Sequence, residues 1–241
     1  MTNIFNFDHL TDKYDGVVGM SSTRISPYGN IPMFPNILSN YVNMDPVFSF
    51  YLNREDDSSY GGEMILGGVN PEYFDGDLEF MPTVRNSKWI IRMSSMTIKD
   101  KEFCDNCTAT IDTGTSGIVG RKEHVEKINS MLGTYYHIGQ HYLVDCRRID
   151  LLPSIKFIFH KKEYVLEPRH YVFKVHFWFE TLCSLPFEYD DSIAPNYWIL
   201  GDVFMGSFYT VFDFGRKRIG LAYALNHKKS LNNSSTNATR M

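Results

Sequence analysis

Nowhere in the chain is there a run of roughly 18 uninterrupted apolar residues, the length a membrane-crossing helix requires. Nor is there an excess of positive charge: 24 Lys and Arg against 28 Asp and Glu leave a net charge of −4. Phosphate backbones are held by clustered cations, so this balance excludes nucleic-acid binding as a main role. The pairs Lys161-Lys162 and Lys228-Lys229 are solvated doublets, too few to form a patch. The opening MTNIFNFDHL has no basic segment leading into an apolar one, so no signal peptide is visible. Repeats at a solenoid period are absent. What is present is a globular composition, 43% apolar, 22% charged and 15% aromatic, in 241 residues. That is enough for one large or two modest domains with real cores.

Cysteine is scarce, at four residues, and its spacing carries information. Cys104 and Cys107 form a CxxC pair, while Cys146 and Cys183 lie far apart. A zinc site would want a second close pair, which is missing. A redox CxxC would open a helix, whereas Cys107 runs into the strand-like Thr108-Ala-Thr-Ile111. The reading is two disulfides, one closing a tight loop and one a long loop, and hence an oxidising compartment. Glycosylation sequons at Asn106, Asn232, Asn233 and Asn237 point the same way. His137 and His141 stand four apart, but no Glu lies between them and Gly139 weakens a helix. They read as loop or surface histidines, and neither a metal nor an organic cofactor is implied.

Strand signals dominate. Phe48–Leu52, Glu63–Leu66, Tyr171–Phe179, Tyr197–Leu200, Tyr209–Phe214 and Arg218–Tyr223 are short β-prone runs. Ser154–Phe159 puts Ile155, Phe157 and Phe159 on one face at period two. Helical spacing appears in two places. Val125, Ile128 and Leu132 recur at three and four, with Gly133 as a C-terminal cap. Pro35 is read as opening a second helix that buries Ile37, Leu38 and Tyr41. The fold class is mainly β with a few short helices. The tail 226–241 is polar and of low complexity, and is expected to be disordered.

One segment concentrates chemistry: Ala109-Thr-Ile-Asp-Thr-Gly-Thr-Ser116. A β-run delivers Asp112 into a loop of small hydroxyl residues and one glycine, which can orient a carboxylate. Taken alone, Asp-Thr-Gly is simply good turn chemistry. Its context changes that. In order along the chain stand Asp15-Gly-Val-Val-Gly19, Phe48-Ser-Phe-Tyr-Leu-Asn-Arg54, Gly61-Gly-Glu-Met-Ile-Leu-Gly-Gly68 and Tyr73-Phe-Asp-Gly-Asp-Leu78. Trp89, the cysteine loop and the Asp112 loop follow, then Trp198-Ile-Leu-Gly-Asp-Val-Phe204, Tyr209-Thr-Val-Phe-Asp213 and Arg218-Ile-Gly-Leu-Ala222. From about Tyr14 to Ala224 this series resembles the pepsin-like aspartic proteases, nearest to their cathepsin D-like lysosomal members.

That resemblance implies a bilobal, β-rich fold with peptide substrate in the cleft between lobes. Each lobe supplies one Asp-Thr-Gly loop, and the two carboxylates share a proton and hold a water. One acts as general base on that water while the other protonates the scissile carbonyl oxygen. Asp112 matches the carboxyl-side catalytic aspartate. Thr113, Gly114, Thr115 and Ser116 match its supporting loop, and Ile199, Leu200 and Gly201 the segment threaded beneath it. The disulfides carry over as Cys104–Cys107, one residue tighter than in the cathepsin D-like members, and Cys146–Cys183. Gly117 replaces a larger apolar residue and is expected to loosen packing. The acidic segment Leu185–Asp191 falls on a cleft-rim loop.

The family needs two Asp-Thr-Gly loops, and this sequence contains one. The resemblance begins after the flap, the hairpin that closes over substrate. The expectation is therefore a truncated chain: residues 1–83 as an incomplete amino-terminal lobe with interlobe strands, and 84–225 as a complete carboxyl-terminal lobe. Without its partner, Asp112 has no carboxylate to share a proton with, so little or no peptidase activity is expected of this chain alone. Two other readings stand beside a truncated aspartic endopeptidase. One is an inactive peptide-binding relative, and the other a homodimer with one aspartate per subunit. The expected partners are protein or peptide substrates, in a lysosomal or secreted setting.

Overall fold

The computed structural model describes residues 18–21, 31–55, 58–84, 89–177 and 180–225. The tail, with Asn232, Asn233 and Asn237, and Asp15 to Val17 lie outside the described residues. In chain order the elements are α1 (Met33–Asn40), β1 (Val47–Leu52), β2 (Gly62–Leu66), β3 (Phe74–Pro82), β4 (Ile90–Ile98), β5 (Lys101–Ile111) and β6 (Ile118–Gly120). Then follow α2 (Lys122–Met131), β7 (Tyr136–Ile138), β8 (His141–Val144), β9 (Ile155–Phe159) and β10 (Lys162–Leu166). After them come α3 (Pro168–Tyr171), β11 (Phe173–Phe177), β12 (Glu180–Leu185), β13 (Phe187–Tyr189), β14 (Tyr197–Leu200), α4 (Asp202–Met205), β15 (Phe208–Asp213) and β16 (Arg218–Ala224). The chain is mainly β, as its alternating apolar runs require.

These strands form three sheets. An antiparallel five-stranded sheet runs β2-β1-β15-β16-β3 and draws strands from both sides of residue 83. A seven-stranded sheet runs β10-β9-β4-β5-β14-β6-β13, and a four-stranded one β11-β12-β8-β7. All six residues of β15 are buried, as expected for a central strand covered on both faces. Its polar members have partners: Asp213 accepts bonds from Arg218 Nε at 2.7 Å and from the Arg216 N–H at 2.9 Å. Burial of that charge is tolerable only because it is paired. Phe48 stacks on Phe212 at 4.8 Å and meets Trp89 edge-on at 5.6 Å, joining the sheets through one continuous aromatic core. Each fully buried ring there contributes on the order of 2–3 kcal/mol.

Local details depart from the sequence reading in three places. Helix α1 begins at Met33, after Pro32, rather than at Pro35. It buries Phe34, half-buries Ile37 and Leu38, and leaves Tyr41 exposed, because the chain turns away after Asn40. Tyr171 closes helix α3 instead of opening a strand, since Pro168 at the first helical turn starts a helix first. Helix α2 carries Val125 and Ile128 inward as spaced, with Leu132 as its cap and Gly133 following at φ 75°.

Candidate functional site

Strand β5 ends at Ile111 and hands Asp112 to the loop 112–117. Strand β14 fits between the two strands that flank this loop. It runs parallel to β5, with Ile199 beside Thr110 and Leu200 beside Ile111, and antiparallel to β6, with Leu200 beside Ile118. Backbone bonds then lock loop and strand together. The Asp112 N–H donates to the Leu200 carbonyl at 3.1 Å. The N–H groups of Gly201, Asp202 and Val203 donate to the carbonyls of Gly117, Thr115 and Ser116 at 3.0, 2.8 and 3.1 Å. A Cβ on Gly201 would lie 1.9 Å from the Thr115 oxygen, so this close approach admits no side chain.

Within that frame the Asp112 carboxylate is held by both oxygens. Oδ1 accepts from the Gly114 N–H and Oδ2 from Thr115 Oγ1, each at 3.0 Å. Asp112 and Thr115 are half-buried, while Thr113, Gly114 and Ser116 are exposed. Leu200 and Gly201 are buried beneath the loop, and Ile199 is half-buried. Gly117 does not loosen the packing as expected. A Cβ there would sit 2.3 Å from the Pro186 carbonyl, because the chain entering β13 has closed onto it.

Asp112 and Thr113 border a cavity of about 340 Å³ whose walls are largely aromatic and aliphatic: Phe48, Phe50, Trp89, Ile199 and Phe212. The Tyr197 and Thr110 hydroxyls are hydrogen-bonded to each other on the same wall. Gly19, Met20 and Ser21 line it too, tethered by Trp89 Nε1 donating to the Met20 carbonyl at 2.8 Å. The segment ending at Gly19 and the loop at Asp112 therefore meet at one cavity. A second cavity, of about 310 Å³, lies against the other side of the loop, lined by Gly114, Thr115 and Ser116 together with Phe173, Glu188 and His141.

Two further carboxyl groups stand beside the loop, Asp202 and, within the rim segment, Glu188. Asp202, at the start of α4, has its pKa pushed up to about 6. Burial is the main cause and the negative charge of Asp112 adds to it, while Arg54 acts in the opposite direction. Burial also raises Glu188, offset in part by His141. Asp202 directly follows the threaded Ile199-Leu-Gly201 segment, and that adjacency is the signal that marks it. Arg54 stands 148 residues away, and no local pattern connects them. Elsewhere on the rim segment, Asp190 Oδ1 accepts the Ser192 N–H at 2.8 Å, and Asp191 Oδ1 the Lys122 N–H at 3.2 Å. Those two carboxylates are structural.

Of the remaining residues singled out by sequence, the cysteines, Asn106 and His137 line neither of these two cavities, whereas His141 lines the second. Cys104 is bonded to Cys107 and Cys146 to Cys183. Asn106 is exposed between the first pair at φ 52°. His137 and His141 stand on the paired strands β7 and β8, with His137 against the Tyr142 ring. Among the described residues no three His, Cys, Asp or Glu groups cluster as metal ligands would. The chemistry the site offers is thus a fixed carboxylate at the wall of an apolar cavity, able to take or give a proton.

Residues 5–224 match the family described as eukaryotic aspartyl protease. The chain belongs to that family. Its similar relatives include cathepsin D of Chionodraco hamatus, 41% identical over 219 residues, and cathepsin D of Clupea harengus, 40% identical over 218. Human cathepsin D is 36% identical over 219 residues. These alignments cover 88–89% of this chain and 53–55% of the relatives. The chain spans about half the length of the curated relatives it matches.

Proposed function

We propose that this chain carries the carboxyl-side half of an aspartic endopeptidase site, with Asp112 as one of two paired carboxylates. The observation that carries the reading is the Asp112 loop, fixed through both carboxylate oxygens and threaded by Ile199–Gly201 at the wall of an aromatic cavity. In the reaction, water held between the pair loses a proton to one carboxylate and adds to the scissile carbonyl, whose oxygen is protonated by the other. Thr115 and the Gly114 N–H keep the Asp112 lone pair aimed throughout. The substrate is an extended peptide lying across the cavity. The sequence contains one Asp-Thr-Gly, so one copy of these 241 residues supplies one carboxylate of the pair, and alone it turns over little or no substrate. Two disulfides support an oxidising, secretory-pathway or lysosomal setting.

The test is peptide hydrolysis at acid pH by a chain extended to include a second Asp-Thr-Gly lobe, compared with its Asp112→Asn variant. Turnover that drops by at least about a thousandfold in the variant supports the proposal. Turnover indifferent to Asp112 overturns it.

A further inference from the structure

A third cavity, of about 330 Å³, lies apart from the Asp112 loop, where the end of β1 meets α3, the α4–β15 turn and the end of β16. We propose that it binds a small organic anion, one carboxylate or phosphate group carried on an apolar body. Four groups at this cavity suit the anionic end. Arg169 is exposed, Arg54 and His170 are half-buried, and Ser207 is buried, so cations and donors extend from surface to depth. Among the described residues the buried Ser207 hydroxyl has no hydrogen-bond partner, and a polar group in that state calls for one.

Arg54 is held in place on this wall. Its Nη2 donates to the His170 carbonyl at 3.3 Å and its guanidinium lies 5.2 Å from the Phe173 ring centre. Glu55 and Glu167 also border the cavity, and Glu167 is engaged by Ser154 Oγ at 2.8 Å. The charge felt by the imidazole is nonetheless positive. Burial lowers the His170 pKa most, Arg169 and then Arg54 lower it further, and Glu167 offsets them least. A guanidinium pair with an imidazole and a hydroxyl matches a carboxylate or phosphate in donor number and charge. Beside the polar Asn53, the rest of the wall includes Leu52, Val165, Tyr223, Ala224 and Leu225, an apolar part that suits a hydrocarbon body rather than a bare ion.

The test follows the His170 ring signal by NMR in the 241-residue chain during titration with phenyl phosphate, benzoate and inorganic phosphate. The expected result is a saturable shift with at least one organic probe, and inorganic phosphate weaker by about tenfold. Whichever organic probe saturates at lower concentration identifies the head group. Arg169→Gln is expected to weaken binding about tenfold, and Ser207→Ala by about threefold, while both variants keep the wild-type spectrum elsewhere. Absence of a saturable shift with either organic probe overturns the proposal. So does binding unchanged in both variants, or inorganic phosphate binding as tightly as the organic probes.

Discussion

In the seven-stranded sheet, the strands around Asp112 are locked on both sides by backbone. Strand β14 bonds to β5 and β6, and the loop carbonyls of 115–117 are all used by Gly201–Val203. In the five-stranded sheet the strands are also paired through backbone, but burial is concentrated at the centre. There β15 is buried throughout, while edge strand β2 leaves Met64 42% and Leu66 37% exposed. The first arrangement depends on fixed main-chain approach and tolerates no added atoms. The second depends on side-chain packing, which can give way. An exposed apolar edge of this kind also invites another strand. The loop's geometry is thus set by its own sheet, and the five-stranded sheet serves the site mainly by supplying one aromatic wall of its cavity.

The sharpest way to break this contrast is a pair of glycine substitutions. Gly201→Ala places a methyl 1.9 Å from the Thr115 oxygen, against main chain that cannot move. It should cost about 4 kcal/mol or abolish folding. Gly220→Ala, in β16, meets only the Phe80 ring at 2.7 Å, which can rotate, and should cost about 1–2 kcal/mol. Urea denaturation of both variants checks the order, and equal costs would dissolve the distinction.

A smaller effect concerns Asp202. Its folded pKa of about 6 exceeds its ordinary value of 3.8, so the native state binds the extra proton between those limits. Stability from this group is therefore greatest below about pH 4 and is lost as pH rises through about 6. Allowing for partial exposure, the loss is about 1–2 kcal/mol. Asp202→Asn should match the wild type near pH 4 and exceed it by that amount at pH 7, read from denaturation at the two pH values. The smallest expected change is Thr115→Val, which removes the hydroxyl donor to Asp112 Oδ2. It should cost about 1 kcal/mol, while Thr115→Ser keeps the bond and costs less, as measured by thermal unfolding.

Much of the architecture was legible where a pattern is local. The period-two face of Ile155, Phe157 and Phe159 became β9, and the three-four spacing of Val125 and Ile128 became α2. Strand β4 escapes a period-two reading because its alternation slips: Ile91 and Met93 are buried at odd positions and Met96 and Ile98 at even ones, next to a register irregularity between Met96 and Thr97. Strands β6, β7 and β13 are three residues each, too short for periodicity to register. At the site, Asp112 and its loop were visible through a contiguous motif. The approach of Glu188 to the loop and of Arg54 to Asp202 was not, because each arrives through tertiary packing. The effect of Gly117 was misjudged for the same reason: a residue's room is set by the strand opposite, here at Pro186.

As one half of the proposed pair, Asp112 should be insufficient alone. The most direct test is hydrolysis of a peptide at acid pH by the purified 241-residue chain, across a wide range of protein concentration, beside Asp112→Asn. No Asp112-dependent turnover is expected at any concentration. Turnover that disappears in the variant would contradict it, and a rate rising with the square of concentration would show two copies of the chain supplying the pair.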